Sequence, residues 1–240
     1  MSILSGPVQL TDGGELDTSS TAKHKIGTMA VTTDGRVYRY TEAGAVNLGA
    51  GKLCVAQPIV ANHENMSVQA AAAVGATSVT VTLGATAAAA NDYANGYLTI
   101  NDAAGEGVTY LVTGHPAADA NATLTLSLAQ PVKVALTTSS QASLQMNPWK
   151  ESVISVTDQL DMPIGIPNQA ITATEFGWIQ TRGVCSALAD ETLAIGADLT
   201  IGTSVAGAVE VVDAAGEPRV GYAIQAGVDT EHRAIYLQID

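Results

Sequence analysis

The sequence predicts an all-β protein: β-sandwich or barrel-like units of short strands and tight turns, preceded by an extended N-terminal arm. Three observations predict it. The chain is 47% hydrophobic yet holds one Phe and only 4% aromatic residues, so its apolar positions are mostly Ala, Val, Leu and Ile. These positions alternate with Thr and Ser in short runs, a pattern suited to a pleated, half-buried surface. Gly, Asn-Asp and Pro break the runs at turn-like intervals. A chain of 240 residues forms one large β domain or two smaller ones, and folding removes roughly 70–75% of its unfolded surface from water. Small core side chains contribute little singly, about 0.8 kcal/mol per buried methylene, so Trp149, Trp178 and the Tyr residues are expected anchors.

Residues 1–25 are rich in Ser, Thr, Gly and Asp and hold few core-sized side chains. Such a stretch cannot bury enough to fold alone and reads as a flexible arm or a frayed terminus. The main β domain is expected over 26–62 and 147–240, with a second β domain inserted over 63–146. In the former, Met29–Thr33 and Arg36–Tyr40 flank Asp34-Gly35, a dipeptide suited to a two-residue hairpin turn. Alternation there puts Tyr38 and Tyr40 on one face. Lys52–Ala56 is a shorter apolar segment, stopped by Pro58.

The inserted domain offers strand candidates at 77–83, 97–100, 108–112, 123–128 and 132–136. Residues 85–95 are Ala-rich without strand alternation, so a short helix is the alternative there. Asn147-Pro148-Trp149 closes the domain, and Met162–Pro167 reads as an extended connector because each Pro disfavours helix at the residue before it. The last strands are expected at 176–180, 207–212, 221–224 and 234–239.

The charge excludes more than it suggests. Ten Lys and Arg against 23 Asp and Glu leave −13, which opposes general binding to nucleic acid or an anionic membrane. Lys23, His24 and Lys25 form the densest cationic stretch and read as a local tether near the arm. Cys54 and Cys185 fit no metal spacing and read as two buried thiols, with a single bridge left open. His24, His63, His115 and His232 stand singly and read as surface or turn residues. No phosphate loop, nucleophile elbow or calcium-loop spacing occurs, so no catalytic residue, metal or cofactor is expected. The first residues lack a basic and an apolar signal region, and no run approaches the ~20 residues of a membrane span. A soluble protein without a signal peptide is expected.

One set of residues has a specific likeness. Thr21–Thr28 (TAKHKIGT), Asp34–Tyr40 (DGRVYRY) and Gly49–Leu53 (GAGKL), followed by Ala76–Thr86, Gly96–Leu98, Gly105–Tyr110 and Phe176–Thr181, resemble the head decoration proteins of tailed bacteriophages, also called capsid cement proteins. The likeness spans most of the chain and consists of strand and turn patterns. It implies a β-rich homotrimer, made in the host cytoplasm, that sits on the outer surface of an icosahedral head and ties major capsid protein subunits together. It further implies an arm that adds a strand to the shell, with Leu4, Val8 and Leu10 as apolar contacts and Lys23, His24 and Lys25 near the arm's root facing acidic groups. Two other readings are weighed: a different β-rich virion component, such as a tail-tube or adsorption-fibre subunit, and a carbohydrate-binding module or hydrolase using Asp102, Glu106 or Asp198.

Overall fold

The computed structural model describes residues 6–157 and 161–240, and the chain is nearly all β, 41% strand and 3% helix. Its contacts define two compact units, Met1–Gln57 with Pro148–Asp240, and Pro58–Asn147. The first unit opens with β1 (Val8–Leu10), β2 (Met29–Thr32), β3 (Val37–Glu42) and β4 (Cys54–Val55). The second holds β5 (Met66–Ser67), β6 (Ser78–Thr82), β7 (Tyr97–Asp102), β8 (Thr109–Gly114), β9 (Thr123–Leu128) and β10 (Gln141–Gln145). The chain then returns to the first unit with β11 (Val153–Ile154), β12 (Pro163–Pro167), β13 (Phe176–Ala189), β14 (Asp198–Ile201), β15 (Ala208–Val211), β16 (Gly221–Ala223) and β17 (His232–Gln238).

The second unit is a barrel. Its six strands run in the order β5-β10-β7-β8-β9-β6, and the Val68↔Val81 bridge joins the two ends of that order. In β9 the sequence TLTLSL alternates strictly between exposed and buried, because successive side chains on a strand point to opposite faces. Leu124, Leu126, Val79, Val81, Leu98 and Ile100 fill the interior. Two sequence expectations need correcting here. Residues 132–136 form no strand: Val132 and Leu136 are buried, Val132 meets Gly75 and Ala76 through two backbone hydrogen bonds and Leu136 forms an isolated bridge with Ala72, but the closing strand is β10. The Ala-rich stretch is not helical but a run of turns before β7, with Asn91 and Asn95 at positive φ.

In the first unit β13 organises everything. Its first half pairs with β3 (Trp178↔Tyr40) and, at Ile179 and Gln180, with β12. It is buried on both faces: Trp178 joins Leu10, Ala30, Tyr38 and Tyr40, while Ile179 joins Leu48, Cys54, Ile164 and Ile171. At Gly183 (φ 96°) the strand turns into the left-handed region that glycine tolerates. Beyond it β13 pairs with β17 and β15, and the circuit β13-β15-β14-β16-β17 closes on itself around Leu199, Ile201, Val209, Ile235 and Leu237. Met162–Pro167, read as a connector, contains β12.

The β2–β3 hairpin also differs in detail. Only Gly35 has positive φ (85°), the Gly35 amide donates to the Thr32 carbonyl (3.0 Å), and the Thr32 amide donates to that of Arg36 (3.1 Å). Asp34 keeps negative φ because its carboxylate is held by the Thr32 hydroxyl and the Arg36 guanidinium, so the loop has three residues rather than two.

Candidate functional site

The N-terminal segment does not stand off as an arm over its described residues. β1 pairs in parallel with β2, Val8 opposite Ala30 and Leu10 opposite Thr32, and Ser19 exchanges both backbone hydrogen bonds with Phe176 at 2.9 Å. Backbone pairing, supported by burial of Leu10, supplies what the polar composition lacks. A one-turn 3-10 helix, Gly14–Leu16, is tied down by Arg36, which donates to Glu15 (3.2 Å), Asp34 (2.8 Å) and the Tyr38 hydroxyl (2.6 Å). Partial burial works against the Arg36 charge, but these hydrogen bonds and the nearby negative charge outweigh it and hold its pKa above the ordinary value. Burial likewise pushes the Tyr38 phenol up, against the opposing effect of Arg36.

A cleft of about 400 Å³ opens between this segment and the sheet, walled by Leu10, Lys23, His24, Tyr40, Phe176 and Trp178. The β3–β13 register builds it, setting Tyr40 edge-on to Trp178 (4.9 Å between ring centres) and nearly parallel to Phe176 (6.2 Å). The His24 ring packs against both Tyr40 (5.1 Å) and Trp178 (5.2 Å), and the Lys23 amide donates to the Tyr40 hydroxyl (2.9 Å). Pairs of this kind contribute roughly 0.5–1.5 kcal/mol each beyond area burial. The result is an aromatic floor with a polar rim that carries Lys23 and Asp17.

Of the residues singled out from the sequence, Lys23 and His24 meet at this cleft with Leu10, and Lys25 is exposed beside it. Leu4 lies outside the described residues. Leu10 is buried and Val8 half-buried within the chain's own core, so neither is a free apolar contact as the resemblance implied; β1 spends them on its own sheet. Tyr40, Phe176 and Trp178 were missed as walls, although the alternation around Tyr38 and Tyr40 carried part of that signal.

His63 and His115 are buried, contrary to their reading as surface or turn residues. They flank Tyr93: the Tyr93 hydroxyl bonds His63 Nδ1, His63 Nε2 donates to the Thr86 carbonyl (2.9 Å), the Tyr93 amide donates to His115 Nε2 (3.0 Å), and His115 Nδ1 donates to the Pro116 carbonyl (2.7 Å). Each ring thus has one nitrogen donating and one accepting, and nothing is left to act on a ligand. No spacing signal joins residues this far apart in sequence.

The other candidates do not line the cleft. Asp198 pairs with Arg219 (2.7 Å), and Asp102 accepts the Ala103 amide (2.7 Å). Glu106 lies in the β7–β8 turn. Both cysteines are free and buried; burial pushes the Cys185 thiol up to about 12 and the Cys54 thiol further. Among the described residues no group of three or more His, Cys, Asp or Glu is placed to hold a metal ion, and no helix is long and apolar enough to cross a membrane. Comparison with family models, curated proteins and solved structures gives no match.

Proposed function

We propose that this chain is a non-enzymatic structural protein of a tailed-phage virion, which binds the outer surface of the icosahedral head as a homotrimer and cements the major capsid protein lattice. The observation that supports this most directly is where the resembling residues fall. Lys23 and His24 from the first resembling stretch, Tyr40 from the second, and Phe176 and Trp178 from the last line one cleft. That cleft adjoins β1, which among the described residues pairs with β2 alone. An unpaired strand edge takes an extended segment through backbone hydrogen bonds, and the pockets beside it select side chains. Docking therefore needs no released arm: a shell segment adds to β1, and Lys23 and Lys25 meet its acidic groups. Three copies bound together raise the effective concentration of each contact, so modest single interfaces suffice.

The test is to mix the purified protein with expanded heads that lack outer decoration and to measure co-sedimentation and heat resistance of the particle. Saturable binding with raised heat resistance is expected, weakened by Lys23→Glu combined with Lys25→Glu. Absence of binding, or assembly of the protein into rings or filaments, overturns the reading.

A further inference from the structure

Beyond Gly183 the β13–β17 pair turns one face outward. Among the described residues, the only large apolar side chains that are exposed within strands lie there: Val184 (49% exposed) and Tyr236 (37%), directly opposite one another. Tyr222 on β16 continues the row opposite Tyr236, and Ile224 is exposed just past that strand. Two clefts meet on this face, one of about 690 Å³ reaching Ser186 and His232, and one of about 510 Å³ beside Gly183 and Tyr236; Val184 and Arg36 line both. Single exposed apolar residues are ordinary. A cross-strand row flanked by grooves is a surface shaped to be covered.

Charge identifies what covers it. Four of the chain's five arginines, Arg36, Arg182, Arg219 and Arg233, surround this row. Asp34 and Glu15 both pair with Arg36, Asp198 with Arg219 and Glu231 with Arg233, whereas Arg182 makes no ion pair among the described residues. The face is therefore close to neutral on a molecule that carries −13, and two copies repel least where one of them presents it. Closing a ring of three requires head-to-tail contact, in which this face meets a different surface of its neighbour. With 23 acidic against 10 basic residues, that surface is acidic on average. Tyr and Arg are also the residue types that anchor protein interfaces.

We infer that the β13–β17 face is the surface by which one protomer binds the next, its occupant a second copy of this chain. The inference rests on the trimeric part of the reading above and assigns the surface that makes the trimer. The experiment is sedimentation equilibrium of wild type, Val184→Arg and Tyr236→Asp, with circular dichroism to check folding. Wild type is expected at three times the 24.4 kDa chain mass, and each variant, still folded, at the monomer mass, its association weakened by at least about tenfold. Variants as trimeric as wild type overturn this face and leave head binding standing. A wild type that trimerises but ignores heads overturns head binding and leaves this face standing. A monomeric wild type overturns the trimer and this face together. Should the variants misfold, hydroxyl-radical footprinting of wild type decides: Tyr236 is oxidised more slowly in the associated state than after dilution, and equal rates overturn the inference.

Discussion

At the scale of single residues, burial governs chemistry. Cys185, with its thiol pushed up to about 12 by burial, stays protonated at pH 8, and Cys54 is shifted in the same direction. Neither is expected to react with iodoacetamide in the native protein, and both react once denaturant is added; mass spectrometry of alkylated peptides reads this directly. The folded state favours the protonated thiol, so ionisation on raising the pH toward 12 opposes folding. The Tyr93 cluster is governed by hydrogen bonds. His63→Ala leaves the buried Tyr93 hydroxyl and the Thr86 carbonyl without their partner and opens a cavity, and the expected cost is about 2–4 kcal/mol. The midpoint of urea unfolding followed by far-ultraviolet circular dichroism measures it.

At the scale of elements, two segments depart from their local composition. Residues 6–25 look too polar to fold, yet β1 is fixed because β2 offers an edge and the Tyr40–Trp178 layer offers a floor for Leu10. Leu10→Asp places a charge in that floor and releases the segment before the rest of the unit opens. Trypsin is then expected to cut after Lys23 and Lys25 at least about tenfold faster, with the remainder still resistant, as gel electrophoresis shows. β13 carries two environments in one strand. Its first half has apolar clusters on both faces, and its second half, past Gly183, alternates. A sequence reading that stops the strand at Gln180 misses the second half, because Thr181-Arg182-Gly183 resembles a turn until β17 supplies the partner.

At the scale of the whole molecule, net charge sets behaviour toward copies and partners. The −13 excess holds molecules apart at neutral pH and vanishes near the sequence isoelectric point of about 4.5. Solubility is expected to pass through a minimum near pH 4.5 and to recover below it, which turbidity and dynamic light scattering follow across a pH series. A concentration of arginines on one face acts locally at neutral pH, where the remaining surface repels.

The all-β class was legible from alternation alone, since Thr123–Leu128 announces which side chains face inward before any partner strand is known. So was the sharing of one face by Tyr38 and Tyr40, both of which are buried. Which strands meet was not legible: β13 joins β3, β12, β15 and β17 across most of the first unit's sequence, and pairing at that separation leaves no local trace. The closure of two barrels, the burial of His63 and His115, the docking of β1 and the cleft before Trp178 were therefore decided by tertiary structure. The physical reason is that periodicity records the environment of each residue on its own strand, whereas a site depends on the partner across the sheet, which backbone hydrogen bonding selects without regard to side-chain spelling.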